Sequence, residues 1–224
     1  MGLEERADGT WFFEELYPDV AQSFKVKEVL HKETSHDDNG NKLHELLILD
    51  TPRYGRLLTI DGAVQVTEED EHNYHEPLVH CSINSCIEPP KKVLLIGCDG
   101  GTLREVVKYK GIEEIAVVDI DRKVIDLVQE FIPSIPNGAF SDPRVKLTIA
   151  DGAEFVKERA GEGKKYDVII IDSPDPIGPA KSLFRTSFYE NVNQILEQEG
   201  IVIRQTGSIT LQPDEMPAHY RQML

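Results

Sequence analysis

Up to about Thr67, apolar and polar residues alternate in short runs. "FKVKEVLHKETS" (24–35) and "LHELLIL" (43–49) flank Asp38-Asn39-Gly40, the turn chemistry of a tight hairpin. "RLLTIDGAVQVTE" (56–68) carries a second such turn at Asp61-Gly62. The spacing predicts a small antiparallel β-meander over residues 1–67. "EEDEHNYHEPLVHCSIN" (68–84) then predicts a helix with an acidic first turn, which suits the positive end of a helix dipole.

After Pro89-Pro90 the pattern changes to short apolar runs separated by amphipathic ones. "KKVLLIG", "EIAVVDI", "VKLTIAD", "YDVIIID" and "GIVIRQ" read as five buried strands. "DGGTLREVVKY", "DRKVIDLVQEFI", "GAEFVKERA" and "SFYENVNQILEQ" read as the helices between them. Strictly alternating strands and helices imply an α/β fold with a parallel sheet covered on both faces, here over residues 68–224. The fifth strand, Ile201-Val202-Ile203, is apolar on both faces, as an interior strand is. The sequence stops at Leu224 inside what reads as the next helix, so the C-terminal strands expected beside the fifth are missing from it.

The strand ends carry the candidate chemistry. The first runs into Gly97-Cys98-Asp99-Gly100-Gly101, the second into Asp119 with Asp121 just after, the third into Asp151-Gly152, the fourth into Asp172 with Asp175 beyond. All lie at the carboxyl edge of the sheet, where ligands bind in this architecture. The first loop lacks a G-x-G-x-x-G and offers an acid where a phosphate binder presents bare amides or a Lys. An acid after the second strand commonly holds ribose hydroxyls. Together these suggest an adenosine ligand without phosphates, such as an S-adenosyl compound with its sulfonium cation. Taken singly, Asp99 or Asp151 is explained as well by helix capping. The loop "SPDPIGPAKSLF" (173–184) has the Pro and Gly content of a lid that orders over substrate.

Composition narrows the ligand. The 224 residues carry a net charge of −16, which argues against nucleic acid. It suits a cationic ligand, and it also serves solubility. Cys81, Cys86 and Cys98 have neither disulfide nor zinc spacing. The first residues lack a signal-peptide core and no run is long enough for a bilayer, so the expected location is the cytoplasm, with no membrane contact. His72, His75 and His80 lack a completing Cys or Glu ligand set, and no metal is expected. Trp11, Phe12 and Phe13 read as a core or subunit contact.

"YHE" (74–76), "DGGTLREV" (99–106), "VDID" (118–121), "DPRVKLTIADGAEF" (142–155) and "DSPDPIGPAKSLF" (172–184) resemble the spermidine synthase family of polyamine aminopropyltransferases, from about residue 10 to the end. The resemblance implies a small β-domain followed by a methyltransferase-like Rossmann domain, assembled as a homodimer or homotetramer. It implies decarboxylated S-adenosylmethionine as cosubstrate, with no prosthetic group, and a diamine acceptor, usually putrescine, giving spermidine and methylthioadenosine. Carried over by position, Asp99 with Gly100 would hold the aminopropyl ammonium. Asp119 with Ile120 would take the ribose, and Asp151, Gly152 and Pro179 the adenine. Asp172 would deprotonate the attacking amine beside Tyr74. Asp175, Gln205 and His44 would hold the diamine, and Gln65 and His75 would line the site. The chain departs from the family pattern at Cys98 (commonly Gly), Asp119 (commonly Glu), His44 (commonly Gln) and Pro174, and in lacking a C-terminal Tyr that closes the diamine pocket. Two other readings stand beside this one: an S-adenosylmethionine-dependent diamine N-methyltransferase, disfavoured by an acid at Asp99 that would repel the intact donor's carboxylate, and a catalytically incomplete regulatory subunit.

Overall fold

The computed structural model describes residues 2–173, 178–207, 210 and 216–223. The N-terminal region is antiparallel, as the alternation predicts, but it forms two sheets rather than one meander. Strands β1 (Gly2–Arg6), β2 (Gly9–Tyr17) and β3 (Val20–Lys25) make the first. Strands β4 (Glu28–His36), β5 (Lys42–Thr51), β6 (Gly55–Ile60) and β7 (Ala63–Thr67) make the second. The chain changes sheet within two residues: Val26 N–H bonds the Thr10 carbonyl, and Lys27 N–H bonds that of Asp50. Both anticipated hairpins form. In the β4–β5 turn the Asp37 carboxylate accepts from the Asn39 and Asn41 amides. In the β6–β7 turn Asp61 (φ 52) and Gly62 (φ 84) are both left-handed, the signature of a type I′ turn.

Helix α1 (His72–Asn84) begins later than its acidic prelude suggests, and no acid lies in its first turn. Residues 68–71 instead form an approach. Thr67 Oγ1 donates to Asp70, and the Glu71 carboxylate turns toward His75 and Arg104. Tertiary partners here outcompete the helix dipole, which is worth only about 0.3–1 kcal/mol.

The remainder alternates β8 (Lys92–Ile96), α2 (Gly101–Val107), β9 (Glu114–Asp119), α3 (Arg122–Phe131), β10 (Val145–Ile149), α4 (Gly152–Gly161), β11 (Tyr166–Ile171), α5 (Thr186–Ile195) and β12 (Leu196–Arg204). A further helix, α6, spans Met216–Met223. The sheet order is β10-β9-β8-β11-β12, and every pairing is parallel. The strand order reverses between β8 and β11, the place where such sheets open a crevice. The apolar runs are explained by burial on both faces. Leu94, Ile96, Ile169 and Ile171 pack with Phe155, Val156, Phe188 and Val192 on one side. Val93, Leu95, Val168 and Ile170 pack with Leu78, Val79, Leu103 and Val106 on the other.

β12 starts at Leu196, inside the stretch that reads as the end of the preceding helix. Tyr166 pairs with Leu196 and Val168 with Ile201, so residues 197–200 form a bulge. Gly200 permits it, because a Cβ there would lie 2.8 Å from the Leu196 side chain. The two regions share a third core: Leu46, Ile48, Leu58 and Val66 pack on Val124, Leu127 and Val128 of α3. Among the described residues no helix is long and apolar enough to cross a membrane.

Candidate active site

Glycine brings the two central strand ends together. Gly97 is left-handed (φ 79), and a Cβ on it would lie 2.1 Å from the Asp172 carbonyl oxygen. The Asp172 N–H donates to the Ile96 carbonyl at 2.8 Å, which places the carboxylate directly over the end of β8. Tyr74 Oη donates to Asp172 Oδ1 and Thr102 Oγ1 to Oδ2, each at 2.5 Å. Burial first, and the Asp99 charge second, push Asp172 above the usual carboxylate range. Burial, then Asp172, push the Tyr74 phenol far up, so it stays a donor.

Asp99 has the opposite balance. Burial opposes its charge, but the His75 cation, the Gly101 N–H (2.9 Å to Oδ1) and Arg104 outweigh burial and hold it below the usual range. His75 Nε2 lies 3.3 Å from Asp99 Oδ1 and Nδ1 lies 2.6 Å from Glu71 Oε2. Burial disfavours the imidazolium, yet Asp99, followed by Asp172 and Glu71, raises His75 to about 9. The ring fits because residue 101 is glycine: a Cβ there would lie 2.2–2.7 Å from three ring atoms.

The β9 end holds a second group. Asp119 accepts the Cys98 N–H on Oδ2 and the Asp121 N–H on Oδ1, both at 2.8 Å, and burial raises it to about 6 in spite of these bonds. His44 lies here, away from Asp172. Its Nδ1 is 2.8 Å from Asp121 Oδ2, which also accepts from Ser35 Oγ. Burial opposes the His44 charge, but Asp121 outweighs it and raises the ring. Asp151 caps α4, its Oδ1 accepting from Ala153 (2.8 Å) and Glu154 (3.1 Å). Gly152 allows the close approach of α4 to β8, since a Cβ would lie 2.7 Å from Ile96.

A cavity of about 610 Å³ joins these groups. Asp99, Asp119, Ile120, Asp151, Gly152 and Asp172 line it along the strand ends; His44, Gln65, Tyr74 and Gln205 also face it. His75 and Gly100 stand behind this wall, packed on Gly101 and Pro136 respectively. Glu14 and Gln22 of the first sheet form the far end. Gln205 Oε1 and Ser173 Oγ are buried and without partners among the described residues. Pro179 lies in the 3₁₀ segment Gly178–Phe184; Asp175 falls outside the described residues.

Three side chains that contact the strand-end groups escape a reading of strand tips: Thr102, Glu71 and Arg104. Thr102 had a signal, a hydroxyl in the first turn after the glycine loop. Glu71 and Arg104 had none, because tertiary contact alone joins them (2.8 Å). His75, Asp99 and Asp172 each offer a ligand atom within 4.8 Å of the others, the one candidate metal cluster among the described residues.

Two family models match the chain. The spermine/spermidine synthase domain covers residues 71–223, and the spermidine synthase tetramerisation domain covers residues 10–68. A polyamine aminopropyltransferase of Hamiltonella defensa subsp. Acyrthosiphon pisum (strain 5AT) is 39% identical, over 95% of this chain and 70% of the relative. One of Thermococcus onnurineus (strain NA1) is 39% identical, over 100% of this chain and 75% of the relative. Among solved structures, a spermidine synthase in complex with the transition state analogue AdoDATO superposes with a TM-score of 0.88 at 33% identity, over all of this chain and 73% of the other. The spermidine synthase of Thermotoga maritima gives 0.86 at 32% identity, over all of this chain and 72% of the other.

Proposed function

Since the chain belongs to the spermidine synthase family of polyamine aminopropyltransferases, we propose that it moves the aminopropyl group of decarboxylated S-adenosylmethionine onto putrescine, giving spermidine and methylthioadenosine. The observation that carries this reading is the Asp172 carboxylate, held by Tyr74 and Thr102 beside a second carboxylate, Asp99. A primary ammonium has a pKa near 10, so exposing its lone pair at neutral pH costs roughly 4 kcal/mol. A carboxylate made more basic by burial lowers that cost. In the proposed step the amine nitrogen attacks the propyl carbon bonded to sulfur. The new N–C bond forms as the C–S bond breaks, the sulfonium becomes a neutral thioether, and the amine proton passes to Asp172.

In this reading Asp99 binds the aminopropyl ammonium and disfavours the carboxylate of the intact methyl donor. Asp119 accepts from the ribose hydroxyls. Asp151, Gly152 and Pro179 flank the adenine. The unpartnered Gln205 Oε1 accepts from the acceptor's ammonium, alongside Asp175. His44, which bonds Asp121 beside Asp119 rather than Asp172, serves the donor half in this reading rather than the diamine. We divide the chain into a β-domain, 1–67, and a catalytic domain, 68–224, and place it in the cytoplasm as a homo-oligomer. The tetramerisation match over residues 10–68 supports assembly.

The test is product analysis by mass spectrometry, with decarboxylated and intact S-adenosylmethionine each offered against a panel of amines. Aminopropylated putrescine formed from the decarboxylated donor is the expected result. A methylated amine formed from the intact donor would overturn the reaction, and preference for another acceptor would overturn putrescine.

A further inference from the structure

Glu71 touches no strand end, yet it is tied into the site from two sides. Its Oε2 receives His75 Nδ1 at 2.6 Å and Arg104 Nη2 at 2.8 Å. Arg104 is itself fixed. Its Nε donates to Glu105 at 2.9 Å and its Nη1 to the Ile135 carbonyl at 2.9 Å. Glu105 is fully buried and also holds Lys108 and His80. The His75 ring packs closely on Gly101 of α2, which leaves no room there for a Cβ.

We propose that Glu71, clamped by Arg104, is a positioning residue that fixes His75 as an imidazolium between itself and Asp99, and so sets the charge of the subsite for the donor's aminopropyl tail. The titratable groups facing His75 are Glu71 from the approach to α1, Asp99 from the β8–α2 loop, Asp172 from the end of β11 and the neighbouring Tyr74. With all three carboxylates ionised, His75 and Arg104 leave one net negative charge. A neutral ring would leave two, and its single N–H could serve only one of Glu71 and Asp99. This rests on the aminopropyl-transfer reading for the identity of the tail, but the charge arrangement stands on the geometry alone.

The sign follows from the raised ring. The His75 cation persists from below its ordinary range up to about pH 9 and is lost above that. Removing the Glu71 charge brings the loss to lower pH, since an opposite charge at contact distance shifts a pKa by about 1–3 units.

Ring-nitrogen NMR of the full chain tests this without turnover. Both His75 nitrogens are expected to carry protons at pH 8 in the wild type. In Glu71→Gln the ring should titrate at least about one unit lower. The alkaline limb of kcat/KM should move down with it, and KM for the decarboxylated donor should rise while KM for the amine holds. Glu71→Asp should restore much of the profile. A neutral His75 ring in the wild type at pH 8 overturns the proposal, even if no variant folds. So does a Glu71→Gln chain that titrates and turns over like the wild type. Doubly protonated His75 in a chain that transfers no aminopropyl group would uphold this arrangement while sinking the reaction assigned to it.

Discussion

A carboxylate at the tip of a buried strand must find its hydrogen bonds in protein, because an unpaired buried charge costs several kcal/mol. Asp172 finds two hydroxyls, and Asp119 finds two amides. The difference bears on function. Hydroxyls can rotate to follow a proton, so Asp172 suits proton transfer; amides are fixed, so Asp119 suits holding. Asp172→Asn removes the proposed base but no adenosine contact. Its kcat should fall by roughly 10²–10⁴-fold, while methylthioadenosine affinity stays within a few-fold. Calorimetry beside steady-state kinetics checks both, and near-normal turnover would remove Asp172 from the base role. Residues at this scale were legible where chain position implied place: Asp99, Asp119, Asp151 and Asp172 follow apolar runs and so lie at one edge. Glu71, Arg104 and the Asp121 partner of His44 were not, because each depends on a contact 33 or more positions away in sequence.

Among the elements, the parallel strands were readable because both their faces are buried, which leaves apolar runs that nothing else in a short segment explains. Their helices followed from amphipathic spacing. The failures lie where one local signal met a stronger tertiary one. Ahead of α1, Glu71 turns to Arg104 and His75 while Asp70 accepts from Thr67 and Glu68 from Ser134, and the α5 to β12 switch falls at Leu196, where pairing with Tyr166 captures residues of helical pattern. Separation of the N-terminal strands into two sheets depends on the step at Val26 and Lys27, which has no turn residue to announce it. Close packing of α1 on α2 carries its own prediction. Gly101→Ala would drive a methyl into the His75 ring. Such overpacking costs about 1–3 kcal/mol, and the displaced ring would release Asp99. A lowered denaturation midpoint together with a raised KM for the donor is expected. A fully active and equally stable alanine variant would contradict the tight contact.

For the molecule as a whole, the four-stranded sheet and the Rossmann-like domain meet along α3, where Leu127 and Val128 are almost fully buried under β5, β6 and β7. Arg56 reaches the Phe131 carbonyl and Ser134 reaches Glu68 across the same seam. A shared core of this kind makes the two regions unfold together. Leu127→Ala should cost about 2–5 kcal/mol and still give one transition, with circular dichroism and Trp11 fluorescence coincident. Separate melting of the β-domain would show that the seam is weaker than its packing implies.

The cavity spans that seam, since His44 and Gln65 come from one side and Asp99 and Asp119 from the other. Whatever fills it becomes a cross-brace for the entire chain. A ligand present at 100 times its dissociation constant adds about 2.7 kcal/mol to the folded state. That is a large share of the margin that keeps a protein out of reach of proteases. On the proposed reaction, donor supply would then affect how long the enzyme lasts as well as how fast it runs.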